Sequence, residues 1–163
     1  MSKVLIFGNS GSGKSTLAKK YCLKNKAVHL DLDTIAWQQP ESPDKPPMRM
    51  ALCDSKQYIH NFITENENWV IEGCYADLLA MVTEQADEMI FLNLPVDACI
   101  QNAKQRPWEP HKYESKAAQD ANLEMLINWI SQYPERDDCF SEQAHIQLFN
   151  GFDGKKQMMT SNH

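Results

Sequence analysis

Gly8-Asn9-Ser10-Gly11-Ser12-Gly13-Lys14-Ser15-Thr16, residues 8–16 of a 163-residue chain, carries the reading of everything around it. It matches Gly-x4-Gly-Lys-[Ser/Thr] at every fixed position. An apolar run (Val4, Leu5, Ile6, Phe7) precedes it, and Leu17, Ala18 and Tyr21 follow at helical spacing. A glycine-rich turn between a buried strand and a helix start lets the backbone wrap tightly, so that several N–H groups face one concavity. The positive end of the helix adds to the same spot, which makes the stretch a phosphate cradle. Gly8, Asn9, Ser10, Gly11, Ser12, Gly13, Lys14, Ser15 and Thr16 are therefore the expected nucleotide-binding set. Lys14 is expected to reach the β- and γ-phosphates of a nucleoside triphosphate, and the Ser15 hydroxyl to ligate Mg2+.

Further along, residues 27–30 read as a second strand ending in Asp31-Leu32-Asp33. The segment 34–49 is an expected loop, because Pro40, Pro43, Pro46 and Pro47 fall in or beside it. Residues 50–65 follow as a helix, 69–71 as a third strand, a short helix from Ala76, and a fourth strand stopped by Pro95. Residues 96–105 and 115–133 read as helices, and 106–113 as a loop interrupted by Pro107 and Pro110. The apolar run 145–149 reads as the last strand, and 155–163 as a polar tail with little to bury. Strands alternating with helices predict one parallel sheet covered on both faces.

Length and composition narrow the function. One domain with one core suits 163 residues, of which 42% are apolar and 23% charged. A net charge of −6 argues against a basic face for nucleic acid, so an anionic ligand must be caught by a few placed cations. The five cysteines contain no Cys-x-x-Cys pair, which predicts neither a zinc site nor a disulfide framework. The apolar run at the N-terminus is too short for a signal or membrane segment, so no membrane partner and a cytoplasmic location are expected.

A phosphate cradle needs acids near it to hold Mg2+ or its waters and, in kinases, to accept the acceptor's proton. Ligands gather beyond the carboxyl ends of parallel strands. Two such ends carry acids: Asp31 and Asp33 after the second strand, Glu72 after the third. One of the two aspartates is expected on the metal and the other on the acceptor. Both are also ordinary turn or cap residues, and Glu72 an ordinary strand-end acid.

With these residues in view, the chain resembles the adenylate-kinase and shikimate-kinase branch of P-loop kinases, above all small bacterial adenylate-kinase-like, topology-modulation-related proteins. The likeness rests on the P-loop, His29-Leu30-Asp31, Trp37, Trp69-Val70-Ile71-Glu72-Gly73-Cys74-Tyr75 and Leu94-Pro95. It implies a three-layer α/β/α sandwich with a five-stranded parallel sheet of order 2-3-1-4-5. It also implies a lid at 106–113, with Arg106 on the nucleotide phosphates, and Glu72-Gly73 near the transferred group. The lid lacks the family's arginine cluster; Lys104, Lys112 and Lys116 are the available substitutes, without arginine's bidentate fork.

The acceptor turn matches no known specificity, since Cys74-Tyr75 follows Glu72-Gly73. Arg49 is the nominee for an acceptor carboxylate, with Arg136 a lesser one. Trp37 and Tyr75 are candidates for an aromatic wall, or for the core in the case of Trp37. The leading expectation is an ATP- and Mg2+-dependent kinase acting on a small-molecule hydroxyl or a nucleotide. Lys14, Asp33 and Arg106 are its catalytic residues, Ser15 and Asp31 serve the metal, and Asp31, Asp33, Trp37, Arg49, Glu72, Gly73 and Tyr75 line the acceptor side. The alternative is a regulatory, slowly hydrolysing NTPase read by a protein partner.

Overall fold

The computed structural model describes residues 2–38 and 47–162. Five strands, β1 (Lys3–Gly8), β2 (Val28–Asp31), β3 (Trp69–Gly73), β4 (Glu88–Leu92) and β5 (Lys155–Met159), form one parallel sheet of order β2-β3-β1-β4-β5. The helices are α1 (Lys14–Asn25), α2 (Leu52–Glu65), α3 (Ala76–Ala80), α4 (Val96–Lys104), α5 (Lys116–Ala121), α6 (Leu123–Ser131) and α7 (Glu142–Asn150).

β1 is central because its residues are apolar on both faces, and the pleat sends them alternately to two cores. Leu5 and Phe7 join Ile71, Met89, Phe91, Ile59, Leu78 and Leu79 on one side of the sheet. Val4 and Ile6 join Val70, Ile90, Leu92, Ala18, Cys99 and Ile130 on the other. Helices thus cover both faces, the three-layer α/β/α arrangement. Truncating a fully buried leucine, isoleucine, methionine or phenylalanine among these to alanine removes about 2–5 kcal/mol.

Register positions the site. Ile6 pairs with Glu72, Phe7 with Gly73, and Asp31 with Glu72, so the ends of β1, β2 and β3 open onto one edge. Beyond β2, Trp37 and Arg49 form an isolated antiparallel bridge, flanked by Gln38 N donating to Met48 O and Met50 N donating to Ala36 O, both at 2.8 Å. This closes the base of the expected loop 34–49, of which 39–46 lie outside the described residues.

The end of the chain differs from expectation. His145–Phe149 were expected as the last strand, yet they lie in helix α7, and the strand falls instead in the polar tail as β5. Ser141 caps α7, its Oγ accepting from Ala144 N at 3.0 Å. His145 is buried against Phe7 and Phe91, with Leu148 and Phe149 at i+3 and i+4 on the same helix face and Phe152, just past the helix, in the same apolar layer. The tail is not loose because an outermost strand needs only one ladder. β5 pairs with β4 alone and leaves most of its side chains exposed. The expected helix over 115–133 is two helices meeting at Asn122. Among the described residues, no helix is long and apolar enough to cross a membrane.

Candidate active site

The phosphate loop leaves β1 at Gly8 and enters α1 at Lys14. Gly11 has φ +78°, and a Cβ there would stand 2.4 Å from Cys99 O, so glycine is required both for the turn and for the close approach of α4. Asn9 is buried, and its Nδ2 donates to Ile130 O at 3.2 Å. Lys14 Nζ folds back over the loop and donates to Asn9 O at 2.8 Å.

Facing the loop, Glu72 is 2% exposed. Its Oε1 accepts from Ser15 Oγ at 3.0 Å, and His29 Nε2 stands 3.5 Å from the same oxygen. Burial pushes this carboxyl up, but His29 and Lys14 outweigh it and hold the group below its ordinary range. The buried Oε2 has no hydrogen-bond partner among the described residues. Asp31 accepts from Asp33 N at 2.9 Å; burial and the charges of Glu72 and Asp33 push its carboxyl up to about 6, against the pull of Lys112.

Asp33 is anchored on both oxygens. Oδ1 accepts a short hydrogen bond from Tyr75 OH, and Oδ2 lies 2.8 Å from Lys112 Nζ. Trp37 Nε1 donates to Tyr75 OH at 2.8 Å, which commits the phenol proton to Asp33. Desolvation raises the Asp33 carboxyl, but Lys112 and Tyr75 draw it below the usual value, while the side chain stays 40% exposed. Lys112 also reaches Asp31 Oδ2 at 3.4 Å and Glu109 Oε2 at 3.6 Å. These carboxylates overcome its burial and raise its pKa.

Residues 106–113, the expected lid, carry Lys112 to this point. Arg106 Nη1 lies 3.3 Å from Glu109 Oε1, Trp108 Nε1 donates to Tyr113 O at 3.0 Å, and Gln119 braces the turn through Pro107 O and Glu109 N. Loop, acids and lid enclose a cavity of about 530 Å³.

Among the expected residues, Ser10, Gly11, Gly13, Lys14, Ser15, Thr16, Asp31, Asp33, Glu72, Gly73 and Arg106 line that cavity. Gly8, Asn9 and Ser12 of the loop do not, nor do Trp37, Arg49 and Tyr75, which pack behind Asp33. The Arg49 guanidinium sits 5.1 Å over Tyr75, 5.5 Å over Phe140 and 5.9 Å over Trp37, and its Nη2 is 3.1 Å from Asp77 Oδ2. Arg136 lies over Trp129 and pairs with Asp138, off the cavity wall. Asn102 and Asn162 line the cavity without having been expected there; no spacing in the sequence links them to the loop.

The donor set fits a hydrated divalent cation. No three His, Cys, Asp or Glu side chains among the described residues could hold a metal by themselves. Mg2+ in such sites takes one or two protein oxygens and fills the rest with phosphate and water. The unpartnered Glu72 Oε2, the adjacent Ser15 hydroxyl and the crowded negative charge at Asp31 suit that role.

Residues 4–124 match a family model described as an AAA domain. YqaC, an uncharacterized protein of Bacillus subtilis, is 24% identical over 130 residues, spanning 78% of this chain and 70% of that protein. The shikimate kinase from Acinetobacter baumannii, solved in complex with shikimate, is 13% identical with a TM-score of 0.55, over 100% of this chain and 86% of that one. A sugar kinase from Janibacter sp. HTCC2649 is 12% identical with a TM-score of 0.50, over 98% and 86%. At these identities the two structural likenesses are likenesses of fold.

Proposed function

The chain belongs to this AAA-domain family and has the fold of the adenylate- and shikimate-kinase-like P-loop kinases, and from that premise we propose that it is a phosphotransferase moving the γ-phosphoryl of ATP to a small-molecule hydroxyl or a nucleotide acceptor. The supporting observation is one cavity in which Lys14 and the loop face Asp33, held on both oxygens by Tyr75 and Lys112.

Backbone N–H groups of residues 8–16 bind the phosphate chain, and Lys14 leaves Asn9 O to neutralise the β- and γ-oxygens. Ser15 with Asp31 and Glu72 would hold Mg2+, directly or through water; when bound it would offset charge on the β- and γ-phosphates. Asp33 receives the acceptor's hydroxyl hydrogen and aims its oxygen. A carboxylate held below its ordinary range is a weak base, and that suffices, because phosphoryl transfer passes through a loose transition state governed by positioning. Arg106 and Lys112 enter from the lid.

A second reading, a nucleotide-binding regulatory protein with slow hydrolysis, draws on the same lid: Arg106 is paired with Glu109, and Lys112 lies among three carboxylates. Measuring ADP release from Mg·ATP against nucleoside monophosphates, nucleosides, shikimate, gluconate and polyols separates the two. Stimulation by one member that disappears in Lys14→Ala identifies a kinase and its acceptor class. Tight ATP binding with no stimulation throughout favours the regulatory reading.

A further inference from the structure

The phosphate loop is touched by a chain of two cavity-lining carboxamides from distant parts of the sequence. Asn102, on α4, donates through Nδ2 to Gly11 O and to Asn162 Oδ1, each at 2.8 Å. Asn162, three residues past β5, donates through Nδ2 to Ser12 O at 3.0 Å. The contacts close a ring through Gly11, Ser12, Asn162 and Asn102. The fit is tight: a Cβ at Gly13 would stand 2.7 Å from Asn162 Nδ2.

The consequence follows from peptide geometry. In a trans peptide the C=O and the next N–H point to opposite sides, so tying down one aims the other. Tying Gly11 O aims the Ser12 N–H, which donates within the loop to Asn9 O at 3.2 Å. Tying Ser12 O aims the Gly13 N–H. In a phosphate cradle these directions are the binding site itself. The far end of the ring is anchored as well: Asn93 N donates to Met159 O at 2.8 Å, so the tail is held by β4 before it reaches the loop.

We propose that Asn102 and Asn162 form a clasp that holds the phosphate loop in its binding shape, which makes the segment after β5 a positioning element for nucleotide phosphates. The clasp rests on the nucleotide-binding reading above, and neither residue needs to touch the base or the acceptor.

The test compares two ligands on the full chain, Mg·ATP and Mg·tripolyphosphate, the second having phosphates but no nucleoside. Asn162→Ala breaks two hydrogen bonds, the one it donates to Ser12 O and the one it accepts from Asn102, and should weaken both ligands by a similar factor, about 5- to 10-fold. The thermal midpoint without ligand should change little, because Asn162 is an exposed residue. Asn102→Ala, which likewise breaks two bonds, should weaken both by a comparable factor. If Asn102→Ala unfolds the protein, Asn162→Ala alone decides. Weakening of ATP with tripolyphosphate unaffected would overturn the clasp and place the amide on the nucleoside. Unchanged affinity for both would overturn it too. Failure of the unaltered chain to bind either ligand would instead remove the nucleotide-binding reading, and the clasp with it.

Discussion

One wall of the cavity comes from a single contiguous stretch, Ser10 to Thr16, whereas the facing wall gathers Asp31, Asp33, Glu72, Glu109 and Lys112 from three stretches far apart in sequence. The first wall works through backbone groups whose directions are set by covalent geometry and glycine conformations, such as φ +78° at Gly11. The second works through side-chain charges that oppose one another. Burial and neighbouring anions push Asp31 up to about 6, while Lys112 and Tyr75 draw Asp33 down. A wall made of backbone tolerates changes of condition; a wall made of competing charges responds to each one.

That contrast can be broken or sharpened. Lys14→Ala strips the first wall of its one mobile cation and should lower turnover by about 10³-fold, with an unchanged circular dichroism spectrum. Turnover at the unaltered level would sink the phosphotransferase reading. Asp33→Asn should lower phosphoryl transfer by about 100-fold while the Kd for ATP moves little. An equally severe loss of ATP binding would move Asp33 from the acceptor to the metal.

Tyr75→Phe removes the donor to Asp33 and should lower kcat by about 10-fold without moving the Kd for ATP, with Trp37→Phe milder, since it acts one bond further back. A change confined to KM for the acceptor would return these rings to the acceptor wall.

The smallest effect concerns pH and stability. Asp31 has a folded pKa raised from 3.8 to about 6, so the folded state binds its proton more tightly than the unfolded chain does. The resulting contribution is full below about pH 4 and is lost as pH rises through about 6. Asp33 and Glu72, held below their ordinary values, act in the opposite sense and lose their contribution in acid. In metal-free protein, Asp31→Asn should therefore flatten the fall in thermal midpoint between about pH 4 and 6. An unchanged slope would mean that Asp31 is not the responsible group.

The loop was legible because motif, strand and helix are adjacent, and Asp31, Asp33, Glu72 and Arg106, singled out as acids at strand ends and a cation within 106–113, all line the cavity. Trp37, Tyr75 and Arg49, named for the acceptor side with the core as the alternative for Trp37, are not among the residues that line the cavity. They lie behind Asp33, where an indole, a phenol and a guanidinium satisfy one another and leave one hydroxyl to steer the carboxylate. Residue type alone does not distinguish a ring that meets a ligand from one that supports the group that does.

Apolar runs and the P-loop sufficed to read out four strands, most of the helices and the parallel sheet, because β1, β3 and β4 are buried on both faces and announce themselves by composition. The last strand was beyond that reading. Lys155–Met159 is polar because an edge strand buries little, and His145–Phe149 is apolar because helix α7 must cover Phe7 and Phe91. Only packing decides which of two such segments takes the edge of the sheet. Packing likewise brings Asn102 and Asn162 onto the phosphate loop, since hydrogen bonds between residues 60 or 150 positions apart exist only once the sheet has placed their ends together.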